Sequence, residues 1–549
     1  MAMVAEAVVG ELVSGLAQAV EENASLIIGI KDQIDDLVSD LETFNAYLRQ
    51  ASRNQSAGDN DVLNDVVEKI RNVVIEAEDA IGKFTVQRKK YKDKGVLRYL
   101  ETVAYYAKVN VSAREIQNIR DKVQKIRQDN TVALQALIDD PNRGQPILQR
   151  MAPVVEEEDV VGFDTEAKTI KEPKLDVNNP RRLCVHSSIL EFLRSDNKPS
   201  SEHVRSFLSY CSKEVEIPTE CLAAIPKSFP LLRVMDVEYL KFKILPKELY
   251  SLYHLRFLAV STDLKLLPKL FNNLWNMQTL VFNTSQNSLE VKSDIWSMSK
   301  LRHVHSNSSM VLPPPPKSKN NASVSTDIKT LSTISPSSCT GDIFNKTPDL
   351  QKLGIRGNLA ELMDVKQGGV SLFDNIQKLD RLENLKLIND ALQSNKLLRF
   401  PRAEKFPPRL RKMTLSNTAF EWKDLSALGS LDELEVLKLE DNAFRGEFCD
   451  VKSVVFKQLQ YFRIERTDLV SWTASKDSFP VLKCLFLRNC TKLDSVPVEF
   501  GEIESLKLLE LYCTKGAVNS AKKIQELKRG VNGDTKKGGF QLSVYPPEQ

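Results

Sequence analysis

The sequence predicts a multidomain protein of the α plus α/β class, with an N-terminal four-helix bundle joined to a C-terminal solenoid of short repeats. A six-residue apolar phrase returns at a period of roughly 22 to 32 residues between Leu231 and Leu511. Before Asp139 the chain carries amphipathic helical stripes instead. At 549 residues the chain is too long for one ordinary domain, so two or three domains are expected.

The repeated phrase has the form L-x-x-L-x-L. Each copy predicts one short strand with its apolar positions inward, and neighbouring units must stack because one unit cannot bury that face alone. This predicts a leucine-rich-repeat solenoid over residues 183–549, with the leucines in the core and the x positions exposed along a concave side that binds another macromolecule. Clear copies begin at Leu232, Leu255, Met277, Leu350, Leu382, Leu410, Leu434, Leu459, Leu482 and Leu506, and weaker copies at Leu301 and Ile328.

Residues 1–140 are helical in pattern and poor in proline. Apolar residues recur there in steps of three and four, which places them on one side of each helix. Each stripe needs a partner, so four such helices with short connections predict an antiparallel bundle. The stripes run from Val4 to Leu16, from Ile30 to Leu48, from Leu63 to Phe84 and from Ile116 to Ile126.

Composition argues against several classes of protein. The net charge of +3 is small for this length, so no nucleic-acid partner is expected. The eight cysteines form no C-x-x-C pair and no metal-ligand set with the five histidines, which predicts free thiols in a reducing compartment and no metal site. No basic signal segment opens the chain and no run of eighteen apolar residues exists, so a cytoplasmic protein is expected.

An acidic phrase stands out at residues 75–84, in the helical stripe from Leu63 to Phe84. It resembles the Glu-Asp-Val-Ile-Asp motif of the Rx-type N-terminal coiled-coil domain in plant intracellular immune receptors, which also carry nucleotide-binding and leucine-rich-repeat domains. Glu78, Asp79 and Ile81 match the motif, whereas Gly82 replaces its last acidic residue. The resemblance implies that this helix docks on basic residues of the repeat array.

The early repeats contain basic residues on which that motif could dock. Arg233, Arg256 and Arg302 occupy the same x position, so stacking would bring them into register. The alternative is that Glu78 and Asp79 are simply solvated, since an exposed ion pair contributes only about 0–1 kcal/mol.

The linker at residues 141–182 resembles the beginning of the family's nucleotide-binding domain. Val161 to Asp164 read Val-Gly-Phe-Asp, the phrase that precedes the first helix of that domain. A phosphate loop of the form G-x-x-x-x-G-K-[S/T] should follow, but the chain contains none. The nucleotide-binding block is therefore missing, and no ADP or ATP cofactor is expected, although an intact family member would bind one.

The repeat region resembles the late-blight-resistance homologues of the nightshade group. The resemblance rests on the Asn-Pro-Arg-Arg-Leu-Cys phrase at residues 179–184, the proline run at 313–316 and Leu-Ser-Thr-Ile-Ser-Pro at 331–336. It implies an immune-receptor-type protein whose array recognises a pathogen effector or a guarded host protein while the bundle signals defence. A switchless decoy or regulator that pairs with intact receptors, and a truncated non-functional product, stay open. No constellation of catalytic residues indicates an enzyme.

The remaining segments carry weaker expectations. Residues 306–326 predict an exposed insertion loop, and residues 520–529 predict a basic helix. Phe540, Leu542 and Val544 alternate, which predicts a last strand that covers the end of the array. The basic run at 88–94 predicts a solvated helix end, with contact to acidic lipid or nucleic acid as the alternative. Binding at the inner face of the plasma membrane is the alternative location to the cytoplasm. Self-association through the bundle is a further alternative.

Overall fold

The structure is a computed structural model in two compact units. The first unit contains Met1–Arg181 and Asn197–Val204, and the second contains Arg182–Asp196 and Arg205–Gln549. The residues that the structure describes are 33–42, 69, 72–74, 76–77, 79–86, 111, 114–126, 128–129, 181–185, 189–194, 203–210, 215–316, 325–365, 369–390, 400–532 and 539–546.

In the first unit the described residues of three predicted stripes are helical. Their apolar positions are buried, as the periodicity predicts: Ile34, Leu37, Leu41, Val73, Ala77, Ile81, Phe84, Ile116, Ile119 and Val123. Arg120 joins residues 33–42 to residues 114–126, since its guanidinium lies 2.8 Å from the carboxylate of Asp36 and 2.7 Å from that of Asp40. The stripe from Val4 to Leu16 lies outside the described residues, so the four-helix count stays a prediction.

The second unit is a solenoid of parallel strands within a 19-stranded sheet. Each repeat adds one strand that pairs with the repeats before and after it, and the weak copies at Leu301 and Ile328 prove to be full members. The main ladder consists of β1 (Arg182–Val185), β2 (Ser206–Ser209), β4 (Val234–Phe242), β5 (Phe257–Thr262), β7 (Thr279–Thr284), β9 (His303–Ser306), β11 (Thr330–Ile334), β12 (Lys352–Gly357), β13 (Asn384–Asn389), β14 (Lys412–Ser416), β16 (Val436–Glu440), β19 (Tyr461–Glu465), β21 (Cys484–Arg488), β22 (Leu508–Tyr512) and β23 (Gln541–Tyr545).

Shorter strands follow the ladder strands and extend the stacking beside them. They are β3 (Val215–Glu216), β6 (Leu266–Leu267), β8 (Ser288–Val291) and β10 (Ser309–Val311) in the large sheet, and the pairs β15 (Phe420–Glu421) with β17 (Phe444–Arg445) and β18 (Phe448–Asp450) with β20 (Ser471–Thr473).

Strand β10 corrects one prediction, because it falls inside the segment 306–326 that was expected to be an exposed loop. It pairs with β8, and Met310 is only 1% exposed. The indole of Trp296 donates a hydrogen bond of 3.0 Å to the carbonyl oxygen of Pro313. The first part of the segment is therefore repeat scaffold, since Met310 and Leu312 supply buried apolar side chains there. Residues 317–324 lie outside the described residues.

Helical turns return the chain from one strand to the next. The α-helices of this unit are Ile189–Arg194, Thr219–Ser228, Gly341–Lys346, Ala360–Met363, Leu425–Gly429 and Val518–Asn532. The 3-10 helices are Lys247–Ser251, Lys269–Asn273, Ile295–Ser297, Pro336–Ser338, Leu372–Lys378, Ala403–Lys405, Trp422–Asp424, Lys476–Ser478, Val498–Glu502 and Lys515–Ala517. The helix predicted at 520–529 is confirmed within the longer C-terminal helix. Among the described residues, no helix has the length and apolar character needed to cross a membrane.

The core lies behind the ladder, as the leucine phrase predicts. Along strand β16 buried and partly exposed residues alternate, because successive side chains of a strand point to opposite faces. Leu437 and Leu439 are 0% and 2% exposed. The last strand, β23, places Leu542 and Val544 beside Leu509 and Leu511, which confirms the predicted closing strand.

Candidate functional site

The open face of the sheet is formed by the x positions of the phrase. Written L-x1-x2-L-x3-L, the x1 residue precedes each ladder strand and the x2 and x3 residues alternate with its two buried positions. The backbone pairing aligns each position into a column, with Lys412 beside Val436 at x2 and Thr414 beside Lys438 at x3. Most x2 and x3 side chains are partly or fully exposed. The open face is therefore a regular array of side chains that are not needed for the core.

The predicted arginines stand in the x1 column. The backbone N–H of Arg256 donates to the carbonyl oxygen of Arg233 at 2.7 Å. The backbone N–H of Gln278 donates to the carbonyl oxygen of Arg256 in the same way. The N–H of Arg302 then donates to the carbonyl oxygen of Gln278 at 2.9 Å. Arg233 and Arg256 are thus direct neighbours, while Gln278 separates them from Arg302.

The acidic motif of the first unit is described only in part, because Glu78 lies outside the described residues. Asp79 is 2% exposed, and its carboxylate lies 3.3 Å from the guanidinium of Arg181 and also contacts the imidazole of His203. Sequence reasoning named neither of these two partners. A buried carboxylate needs such partners, because an unpaired charge is costly to remove from water.

Five lysines form what we call the lysine ladder. They lie on successive ladder strands: Lys329 at x1 before β11, Lys352 at x2 of β12, Lys386 at x3 of β13, Lys412 at x2 of β14 and Lys438 at x3 of β16. Other basic residues of this face, such as Arg411 and Arg356, form ion pairs with Glu435 and Asp390. Within the described part of the chain, no ion pair joins a ladder lysine to a carboxylate.

Two histidines adjoin the start of the lysine ladder, at x2 and x3 of β9. The rings of His303 and His305 stack with centroids 6.3 Å apart. Burial lowers the pKa of His303, and the nearby charges of Lys352 and Lys329 lower it further. Burial also lowers the pKa of His305, as do His303 and Lys352. The described residues contain no group of three or more side chains suited to hold a metal ion, and the local field is positive.

An aromatic pair, which we call the aromatic platform, lies at the other end of the lysine ladder. Tyr461 at x2 of β19 stacks on Phe486 at x3 of β21, with ring centroids 4.7 Å apart and planes at 28°. The ammonium of Lys438 lies 5.4 Å from the centre of the tyrosine ring, and the guanidinium of Arg488 lies 5.7 Å from that of Phe486. Both rings are partly exposed. Aromatic residues beside cations are enriched in the parts of interfaces that dominate binding energy.

The arginines around the platform are paired with acidic side chains, unlike the lysines. Arg463 lies 3.8 Å from Glu440 and also contacts Glu465, which is 6% exposed. Arg488 lies 2.7 Å from Glu510. These pairs hold the long side chains beside the rings and offset their charge, whereas the ladder lysines form no such pair within the described residues.

Sequence reasoning missed both the lysine ladder and the aromatic platform. The signal was present, because the x2 and x3 residues of successive repeats can be aligned as columns from the sequence alone. It was missed because no single repeat contains either feature.

Two family models match the chain. The model of a leucine-rich repeat region matches residues 203–529, and the model of an Rx N-terminal domain matches residues 8–102. One late blight resistance protein homolog of Solanum demissum is 31% identical over 344 residues, which are 59% of this chain and 40% of that protein. A second homolog of the same species is 31% identical over 325 residues, which are 56% of this chain and 23% of that protein. The matched part thus spans less than half the length of these relatives.

Two solved structures resemble the chain at low sequence identity. An internalin from Listeria monocytogenes is 15% identical with a TM-score of 0.33, over 63% of this chain and 82% of that one. The leucine-rich repeat domain of the type III effector XopL is 16% identical with a TM-score of 0.22, over 46% of this chain and 67% of that one. By its matching family models, the chain belongs to the leucine-rich repeat region family and, with its Rx N-terminal domain, is of the coiled-coil, leucine-rich-repeat plant resistance protein type.

Proposed function

We propose that this chain is a recognition protein of plant disease resistance, in which the repeat array binds a protein and the helical N-terminal domain passes that event to defence signalling. The bound protein is a pathogen effector or a guarded host protein. The observation that carries the proposal is the open face with its aromatic platform, on an array preceded by an Rx N-terminal domain match. Neither matching family is a family of enzymes, which favours binding over catalysis.

The first experiment captures partners of the full chain in leaf tissue challenged with a pathogen. Tyr461→Ala with Phe486→Ala removes the platform, while Tyr210→Ala with Tyr239→Ala removes another exposed aromatic pair whose centroids are 6.1 Å apart. We expect the platform variant to lose partners that the control variant keeps, and to lose effector-dependent hypersensitive cell death. If both variants keep every partner and the same response, recognition through this face is wrong.

The missing phosphate loop supports a second candidate, a switchless decoy or regulator that pairs with intact receptors. A chain without the Gly-Lys-[Ser/Thr] cradle has no evident place for nucleotide phosphates, so we propose that it binds neither ADP nor ATP. Calorimetry of the full chain with magnesium nucleotide tests this, and tight binding would contradict it. A regulator would change cell death only when an intact receptor is co-expressed, whereas a receptor would act alone and a non-functional product would do neither.

The acidic motif is the proposed internal contact. We propose that Glu78 and Asp79 dock on the x1 arginines Arg233, Arg256 and Arg302. Asp79 is already paired with Arg181 and His203, so reversing its charge would break those pairs as well as any docking contact. Glu78→Lys is therefore the cleaner probe. Glu78→Lys should weaken association of separately expressed fragments, and Arg256→Glu should restore it. If neither charge reversal changes the association of the fragments, the acidic residues of the motif are simply solvated and do not dock.

The proposed place of action is the cytoplasm, with peripheral binding at the inner face of the plasma membrane as the alternative. Self-association through the helical domain would be compatible with either. A fluorescent fusion separates the two locations, since membrane binding through the basic run at 88–94 would be lost when its lysines are replaced by glutamine.

A further inference from the structure

We infer that the lysine ladder binds an acidic, extended segment of a protein partner, with apolar residues at one end of that segment lying against the aromatic platform. This inference rests on the proposed function, because it names the chemistry of the protein that the array would bind. It is carried by the position of the five lysines and by the absence of ion-pair partners for them in the described residues.

Four of the five lysines form two offset rows, and Lys329 precedes them at x1. Lys352 and Lys412 share the x2 column, whereas Lys386 and Lys438 share the x3 column. Adjacent strands lie about 4.8 Å apart, and two residues along a strand span about 6.7 Å. A bound peptide that runs across the strands, between the x2 row and the x3 row, therefore meets a lysine at nearly every repeat. These lysines lie on its two sides in turn. An extended peptide also presents its side chains on alternate sides, at about 3.3 Å per residue.

Among the described residues, no carboxylate forms an ion pair with a lysine of this strip. Where a carboxylate lies in reach, this face forms pairs, as Arg411 does with Glu435 and Arg488 does with Glu510. The ladder lysines of the described repeats lack such pairs and hold like charges diagonally across neighbouring strands, where they repel each other through the solvent. A partner that brings carboxylates would relieve that repulsion as well as form new ion pairs. The lowered pKa of His303 agrees with a positive field at the start of the strip.

The neighbouring acidic residues favour a peptide over a nucleic acid. Glu383 and Glu435 occupy the x1 column beside the lysines, and Glu440 follows Lys438 on β16. A nucleic acid carries a phosphate on every nucleotide, so a bound strand would bring several phosphates against these carboxylates. A peptide can place neutral residues there and acidic residues opposite the lysines.

The platform sets the direction of the segment. Lys438 is both the last ladder lysine and the cation above Tyr461. An apolar side chain that follows the acidic run would reach the exposed rings of Tyr461 and Phe486. The segment that fits is therefore an Asp- and Glu-rich stretch followed by aliphatic residues.

The test uses the full chain and a fluorescein-labelled peptide of Glu-Glu-Gln-Gln repeats that ends in Leu-Leu, with binding followed by fluorescence polarisation. The ladder variant is Lys386→Glu with Lys412→Glu and Lys438→Glu. The control variant is Lys247→Glu with Lys269→Glu and Lys492→Glu, three exposed lysines away from the open face that change the net charge equally. We expect the ladder variant to bind at least tenfold more weakly than the control, and a poly-glutamine peptide not to bind.

Two results would overturn the inference. One is equal peptide binding by the ladder and control variants. The other is competition by single-stranded DNA or by anionic lipid vesicles that equals competition by unlabelled peptide, since the strip would then select charge of any kind. If the peptide fails while captured partners still depend on Tyr461 and Phe486, this inference falls and the proposed function stands. If partners depend on neither, the proposed function falls as well.

Discussion

Tyr461 lies against Phe486 across two neighbouring strands, although the two residues are not directly opposite in the ladder. The residue opposite Tyr461 is Cys484, and the residue opposite Phe486 is Arg463. The stacking is therefore a diagonal contact, which aromatic side chains are long enough to make. The result is a pair of stacked rings, 4.7 Å apart, that bridges two neighbouring strands of the open face.

The platform should contribute little to folding. In a double-mutant cycle of Tyr461→Ala and Phe486→Ala, we expect a coupling of about 0.5–1.5 kcal/mol, because an aromatic pair is worth roughly that much beyond its buried area. Urea unfolding measures it. The control is Phe462→Ala at a 0% exposed position, which should cost about 3–5 kcal/mol. A platform variant as unstable as that control would give the two rings a structural role instead.

The alternation along strand β16 predicts opposite outcomes at neighbouring residues. Leu437→Ala should lower the free energy of unfolding by about 2–5 kcal/mol, because a fully buried leucine leaves a cavity. Lys438→Ala should change it by no more than about 1 kcal/mol, since that side chain is on the open face and loses only its contact with the Tyr461 ring. Thermal or urea unfolding of the two variants compares them. Equal losses would contradict the division into core and open face.

Strand β12 approaches an irregular point of strand β11. A Cβ added at Gly354 would lie 2.7 Å from the backbone nitrogen of Thr333, a residue with a φ of 61°. Gly354→Ala should therefore destabilise the array by about 1–3 kcal/mol through overpacking. Gly341→Ala is the control, because the nearest atom to its added Cβ is at an ordinary 3.4 Å. Equal stability of both variants in urea unfolding would show that β11 shifts freely.

The two stacked histidines predict a pH dependence. Their pKa values are lowered in the folded state, so between the usual histidine pKa and the lowered value the unfolded chain binds more protons. Stability from this source is fully present above about pH 6.5 and is lost as the pH falls through the lowered values. Between pH 7 and pH 5, the melting temperature of the variant His303→Gln with His305→Gln should fall by less than that of the wild type. A parallel loss in both proteins would contradict the prediction.

The thiols should react in an order set by burial. Burial raises the pKa of Cys449 and of Cys490 to about 12, and raises that of Cys339 as well. Cys184 is exposed, although partial burial and Asp236 also raise its pKa. Iodoacetamide followed by mass spectrometry should modify Cys184 in the native protein and the other three only after unfolding. Early modification of Cys449 would indicate local opening of the array.

The repeats, their register and their core were all predictable from the pattern of apolar residues. A leucine at a fixed place in each phrase can be buried only if successive strands stack, so Leu437 and Arg256 could be assigned to a column from the repeat alone. The closing strand with Leu542 was predictable for the same reason. The strand at Met310 could not be predicted in this way, because its partner strand β8 lies outside the repeated phrase.

Contacts between exposed side chains were not predictable in this way, because they depend on how the folded chain places them. The contacts of Asp79 with Arg181 and His203 join residues more than a hundred positions apart in the chain, and no local pattern links them. The stacking of Tyr461 on Phe486 depends on the spacing of neighbouring strands. Periodicity fixes which face a residue occupies, because that choice follows from the strand geometry of each repeat. Contacts across that face depend on distances between repeats, which exist only after the strands have stacked.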